Sequence, residues 1–397
     1  MKFPKEIKGY EEKINRMARL KTELGNKDLD KRIDDLEVHL QKEFEEIASL
    51  SKGKRENEAN SYKDILAHSV SPRMTYKVKN YTNKLKGAIY GRFAGCALGA
   101  PVELLSLDEL EYFAKDIGMS YPPKYYWTKA PNGYFPRYKV GKGNHFTTEE
   151  MTFLSTDDDI AYTFLSLIIM EKHGINFTTE DVAKEWMEYL PIDCTFTAER
   201  VALQNLKDGI SPLKAGDHNN PDTEFIGASI RCDGYAYVNP GNPLLASKLA
   251  YKDAYLSHRR SGIYSSMYFA AVISLAFSES SLEKALEKGL DFIPSNTEFY
   301  KQIKWALNNF ENISDYKDAN QQILDRFPGM SWVHAINNAI LTVWGVLFGK
   351  KGFDKGITTT VAFGFDNDCT AATVGSILGA FYGIDEINSK WYTPWND

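Results

Sequence analysis

Residues 87–103 read GAIYGRFAGCALGAPVE and residues 366–383 read DNDCTAATVGSILGAFYG. Gly87, Gly91, Gly95 and Gly99 recur every four positions, as do Gly375, Gly379 and Gly383, so on helices each set lines one face. A glycine inside a helix costs about 1 kcal/mol relative to alanine, and close backbone approach between buried helices is the geometry that justifies such a series. Both stretches are bordered by acid: Glu103 closes the first, and Asp366-Asn-Asp368 opens the second. A third acidic turn, Thr156-Asp157-Asp158-Asp159, precedes the apolar run that begins at Ile160. Asp and Thr at a helix start are ordinary caps, but two adjacent carboxylates exceed what one cap requires. Placed at one end of a helical bundle, Asp157, Asp158, Asp366 and Asp368 would repel one another unless protonated or bridged by a cation. An all-oxygen set completed by the Thr156 hydroxyl suits a hard divalent ion, Mg²⁺ before Ca²⁺ or Mn²⁺.

Outward from these stretches the helical period dominates residues 82–383, with helices predicted near 82–99, 106–117, 158–173, 179–190, 243–256, 262–278, 281–291, 296–310, 331–348 and 369–383. Strand-like alternation is scarce, so the body reads as all-α, a multi-helix bundle. Two long intervals interrupt it, 118–155 and 207–243. The first carries Tyr121, Tyr125, Tyr126, Trp127, Tyr134, Phe135 and Tyr138, rings that need burial; they serve as packing cover, a lid or a stacking surface. The first 60 residues contain 28 charged side chains, about half, against 72 in the remaining 337. This divides the chain into a charged N-terminal extension, 1–80, and a body, 81–397. Within the extension Ile14, Met17, Leu20 and Leu24, then Ile33, Leu36, Leu40, Phe44, Ile47 and Leu50, recur at helical spacing on either side of Gly25-Asn26, as in a helical hairpin. Its apolar stripe packs on the body or serves self-association through the N-terminal helices.

The 397 residues are 43% hydrophobic, with 47 basic and 53 acidic side chains and a net charge of −6. That balance argues against a dedicated nucleic-acid binder, which needs clustered Lys and Arg. The longest apolar run, Ile160 to Met170, is too short for a membrane span, and the charged start, 1–10, is unlike a signal sequence. Cysteines at 96, 194, 232 and 369 form no C-x-x-C pair, which fits free thiols in a reducing cytoplasm. An EF-hand beginning at Asp366 would need Gly and Glu where Ala371 and Ile377 stand. Gly345 to Lys351 lacks the spacing and hydroxyl of a phosphate loop, and the dinucleotide fingerprint, the G-x-S-x-G elbow and an H-x-x-x-H pair are absent.

The combination of Gly87-x-x-x-Gly91 through Gly99-x-Pro101-x-Glu103, then Thr156-Asp157-Asp158, then Asp366-x-Asp368 followed by Ala371-Ala372 and a glycine-laddered helix, resembles the ADP-ribosylglycohydrolase family over about 300 residues in the same order. Gly227-Ala228-Ser229-Ile230-Arg231 resembles the family's phosphate-proximal loop, and Asp253 to His258 the helix whose histidine faces the ligand.

The resemblance implies an all-α orthogonal bundle holding two Mg²⁺ ions, with Mn²⁺ as substitute. Such an enzyme hydrolyses the N- or O-glycosidic ribosyl linkage of a mono-ADP-ribosylated protein or small ADP-ribose conjugate. On that resemblance Thr156, Asp157, Asp158, Asp366 and Asp368 are metal ligands, and Glu103, Asp157 and Asp368 are catalytic. Gly227, Ala228, Ser229, Arg231 and His258 contact substrate. Read from residue type alone, Arg231 pairs with a neighbouring acid or anchors a pyrophosphate, and His258 is a core or surface histidine. Two departures stand out: Cys369 where relatives carry Thr or Ser, and Asp159 where they carry Thr. A thiol is a poor Mg²⁺ ligand, so a non-catalytic ADP-ribose-binding or structural member of the family is the alternative.

Overall fold

The computed structural model describes residues 58–70, 75–128 and 146–395, together with Lys31, Arg32, Asp35 and His39, which are helical and exposed. The predicted N-terminal hairpin otherwise lies outside the described residues, as do Tyr134, Phe135 and Tyr138 of the aromatic loop. The chain divides into two compact units, and residues 59–328 with 332–397 form the larger. That unit is all-α among its described residues, with a single isolated bridge between Phe225 and His334.

The helices are α1 (Tyr62–Ala67), α2 (Tyr81–Gly99), α3 (Leu107–Asp116), α4 (Asp158–His173), α5 (Thr179–Tyr189), α6 (Thr197–Lys207), α7 (Pro212–Ala215), α8 (Asp233–Tyr237), α9 (Pro243–Ala254), α10 (Ser261–Ala276), α11 (Leu282–Gly289), α12 (Glu298–Asn309), α13 (Tyr316–Arg326), α14 (Ala335–Phe348), α15 (Phe353–Ala362) and α16 (Asn367–Tyr382). Each predicted helix has a counterpart. Local chemistry sets many of the ends: Ser106 and Glu109 form a reciprocal capping box at α3, as do Thr178 and Asp181 at α5. Every residue of α10 and of α14 is buried. These helices are apolar or small all round, as expected of elements enclosed by others.

The two glycine faces meet each other. An added Cβ at Gly91 would lie 2.2 Å from the Gly375 carbonyl oxygen, and one at Gly95 would lie 2.0 Å from that of Ala371. Gly87 faces Gly379 and Gly99 faces the Asp368 main chain, so α2 and α16 run antiparallel with backbones touching along four turns. A side chain at any of these steps would have to displace main chain rather than a flexible side chain.

Six helices among the described residues were not anticipated: the short α1, α7 and α8, and the longer α6, α13 and α15. α15 is rich in β-branched residues (Ile357, Thr358, Thr359, Thr360, Val361), which have poor helix propensity, but it is buried against α16. At Gly356 a Cβ would meet Leu378 Cδ1 at 2.3 Å. α13 presents only a narrow buried stripe, Ala319, Asn320 and Ile323, and α6 lacks a side-chain cap. In the aromatic loop, Tyr126 and Trp127 are buried, the Tyr126 hydroxyl donating to the Trp391 carbonyl at 2.6 Å and Trp127 Nε1 to the Leu98 carbonyl at 2.8 Å. These rings are packing cover. All four cysteines are free, and among the described residues no helix is long and apolar enough to cross a membrane.

Replacing Gly95 with alanine drives a methyl group into the main chain of Ala371 and Ala372, so urea unfolding should register a loss of about 3 kcal/mol or more, the upper range for overpacking. Lys86→Ala on the exposed face of α2 should change stability by no more than about 0.5 kcal/mol. A Gly95→Ala loss below about 1 kcal/mol would contradict the contact.

Candidate functional site

The glycine contact ends where the acids begin. Because Gly99 packs on the Asp368 main chain, the turn Ala100–Val102 delivers Glu103 to the start of α16. The Leu104 N–H donates to the Phe365 carbonyl at 3.1 Å, and both residues hold positive φ, 58° and 63°, a conformation that non-glycine residues adopt rarely. The result is a group in which Glu103, Asp366 and Asp368 each offer an oxygen within 4.8 Å of the others.

The start of α4 supplies the other half. Asp157 caps that helix, its Oδ1 accepting from the Asp159 N–H at 3.0 Å, so the capping role is real. It is not the whole role, because Asp157, Asp159 and Cys96 form a second group and Asp159, Asp368 and Cys369 a third, each within the same 4.8 Å limit. Asp158 is half-buried beside Asp157 and Thr156 is exposed. Asp366, by contrast, occupies the cap position of α16 but makes no side-chain capping bond.

Electrostatics separates two kinds of acid here. Arg92, fully buried in α2, binds Asp159 Oδ1 and the Asp233 carboxylate at 3.0 Å each, and donates to the Asp159 carbonyl at 2.8 Å and the Ile230 carbonyl at 2.7 Å. It thereby ties α2 to the start of α4, to the turn Ile226–Arg231 and to α8. Losing one partner of such a pair typically costs about 3–5 kcal/mol, because the remaining charges stay buried. Among the described residues, no Lys or Arg pairs with Asp157, Asp158, Asp366 or Asp368. Asp159 Oδ2, Asp366 Oδ1, Asn367 Oδ1 and Asp368 Oδ1 are buried without a hydrogen-bond donor. Burial raises the carboxyls of Asp158 and Asp368 well above the usual range, with Asp157 and Glu103 respectively the largest charged contributors. Burial also raises that of Asp159, against the pull of Arg92, and that of Asp366. The thiols of Cys96 and Cys369 are pushed up by burial and then by the surrounding carboxylates. Buried oxygens of this kind, crowded and lacking cationic partners, fit a divalent ion.

The remaining predicted residues belong to none of these three groups. Gly227, Ala228, Ser229 and Arg231 form one buried turn. Arg231 donates to Asp253 at 2.6 Å, to the Gly227 carbonyl at 3.0 Å, to Ser257 at 3.2 Å and to Glu199, with Trp186 stacked 4.8 Å from its guanidinium. His258 is fully buried, its Nδ1 2.8 Å from the Ser257 hydroxyl, and burial followed by Arg231 and Arg259 holds it well below the usual imidazole range, hence neutral. Arg92, Asp233, Glu199 and Cys96 are the participants that sequence reasoning did not single out. Arg92 did carry a signal, as the one charge within 87–99 among small and apolar residues.

Comparisons with known proteins agree with one another. The model of the ADP-ribosylglycohydrolase family matches residues 77–396. The ADP-ribosyl-(dinitrogen reductase) glycohydrolase of Rhodospirillum rubrum is 24% identical over 312 residues, covering 77% of this chain and 87% of its own. A solved structure described as an ADP-ribosylglycohydrolase-related protein complex has the same fold, with a TM-score of 0.52 at 19% identity over 79% of this chain and 92% of that one.

The raised carboxyls fix the sign of a pH effect. A carboxyl whose folded value lies above its unfolded value of about 4 favours the folded state below that value, and the contribution is lost as pH rises through the folded value. Metal-free protein should therefore lose stability from about pH 4 upward on account of these groups. The rise in Tm on adding a divalent cation should be larger at pH 8 than at pH 5, measured by scanning calorimetry. An equal rise at both values would count against a cation among these carboxylates.

Proposed function

The chain belongs to the ADP-ribosylglycohydrolase family, and from that membership we propose that it is a Mg²⁺-dependent hydrolase that removes ADP-ribose from a mono-ADP-ribosylated protein or a small ADP-ribose conjugate. One observation carries the reading. Asp157, Asp158, Asp366 and Asp368 come from segments about 200 residues apart in sequence, converge at one end of the bundle, and have no Lys or Arg partner among the described residues.

Two Mg²⁺ ions would be held by Thr156, Asp157, Asp158, Asp366 and Asp368, with Mn²⁺ as substitute. When bound, the ions supply positive charge that polarises the ribose oxygens and acidifies a water molecule. Cleaving the ribosyl C–N or C–O bond builds positive charge on the sugar, which the neighbouring carboxylates would favour. Glu103 is exposed while its carboxylate reaches Asp366 and Asp368. This suits it to move a proton between the attacking water and the leaving nitrogen or oxygen. Gly227, Ala228 and Ser229 provide the turn beside which the diphosphate lies. The burial of Arg231 and His258, and the full set of partners around Arg231, support a bracing part behind that turn rather than direct contact with substrate. The free thiols fit a cytoplasmic setting.

Release of ADP-ribose from a panel of arginine-, serine- and acetyl-linked conjugates tests the proposal. Activity should vanish in excess chelator and return with Mg²⁺. Asp366→Ala and Asp157→Ala should abolish it without unfolding the protein, and Glu103→Gln should lower kcat by about 10²–10⁴-fold, the usual worth of general acid–base catalysis. Undiminished release in chelator or in either aspartate variant would refute it, and tight ADP-ribose binding with no cleavage of any conjugate would assign the chain to the non-catalytic alternative.

A further inference from the structure

The acidic centre is not made of oxygen alone. Its inner part is Asp159, Asp368 and Cys369, all buried, with ligand atoms within 4.8 Å of one another. Tetrahedral ligands with bonds of about 2.0–2.3 Å lie about 3.3–3.8 Å apart, so closing the set around a single cation draws these side chains inward by up to about 1 Å. Two independent features aim it at a ligand. Asp159 gives Oδ1 to Arg92 at 3.0 Å and leaves Oδ2 without a donor. Asp368 Oδ1 is likewise buried and without a donor. The sulfur stands in the first turn of α16, where the helix N-terminus favours negative charge.

We propose that Asp159, Asp368 and Cys369 form a mixed oxygen–sulfur site that takes a thiophilic divalent cation, of the class of Zn²⁺, Fe²⁺ or Co²⁺, in preference to Mg²⁺. Hard Mg²⁺ binds oxygen sets and keeps water, whereas a thiolate selects borderline and softer ions. On binding, the S–H bond breaks, the proton leaves to solvent and a sulfur–metal bond forms; no oxidant or reductant is consumed. The carboxylates that disfavour a thiolate in the metal-free centre are neutralised by the same ion. Arg92 has a defined part as a fixed positive charge that orients Asp159 so that one oxygen remains for the cation.

The inference rests on the reading of the acidic cluster as a cation site, and the test separates the two. Full-length reduced protein, stripped of metal, is titrated with Co²⁺ under anaerobic conditions while absorbance and heat are recorded. The expected result is a sulfur-to-cobalt charge-transfer band in the near ultraviolet that saturates with the heat of binding and is lost in Cys369→Ser. Circular dichroism establishes that this variant, and Cys369→Ala as a second, are folded. Zn²⁺ affinity should fall by about tenfold or more in Cys369→Ser while Mg²⁺ affinity changes less than about threefold, since only the softer ion uses the sulfur. Heat of Co²⁺ binding without the band, or a band that persists in Cys369→Ser, overturns the sulfur site and leaves the oxygen site standing. Absence of binding by both Co²⁺ and Mg²⁺ overturns both.

Discussion

Contact between the backbones of α2 and α16 is the constraint on which the rest depends. Bare glycine faces allow the helices to approach until main-chain atoms touch, and the four-residue recurrence on both sides sets their register, Gly87 on Gly379 through Gly99 on Asp368. Close-packed main chain resists sliding because no step can be relieved by a rotamer change. Register at one end becomes geometry at the other: Glu103 follows the last glycine of α2, and Asp366 and Asp368 bracket the first residue of α16. The helical contact, with the Leu104 N–H to Phe365 carbonyl bond beside it, therefore positions Glu103, Asp366 and Asp368, while the start of α4 holds Asp157 and Asp158.

Charge divides the interior into two solved problems and one open one. Arg92 balances Asp159 and Asp233, and Arg231 balances Glu199 and Asp253. Each guanidinium sits between two acids and at least one carbonyl, the arrangement that makes a buried ion tolerable. Asp157, Asp158, Asp366 and Asp368 receive no such partner among the described residues. Burial raises the carboxyls of Asp158, Asp366 and Asp368, and on the proposed reading a divalent ion balances this group at neutral pH. Arg92 links the two halves, since it touches Asp159 at the centre and braces α8 and the Ile226–Arg231 turn behind it.

Much of this was legible in the sequence because its cause is local or periodic. Glycines four apart on a helix line one face, so the all-α body followed from periodicity, and paired aspartates at a helix start exceed the needs of capping, which singled out those turns. Elements stabilised by their surroundings were not legible. α15 is a run of β-branched residues that is helical because α16 covers it, and α13 has too narrow an apolar stripe to announce itself. Asp159 read as surplus negative charge because its partner, Arg92, lies 67 positions earlier and nothing in linear spacing joins them. The same holds for Arg231, whose acids Glu199 and Asp253 stand 32 and 22 residues away.

Anomalous diffraction from crystals soaked in Mn²⁺ tests the central claim most directly. The account predicts anomalous density among the carboxylates of Asp157, Asp158, Asp366 and Asp368, at the end of the bundle where α2 finishes and α16 begins. Crystals in which these carboxylates point away from one another, or in which Mn²⁺ settles elsewhere and leaves this cluster without density, would contradict it.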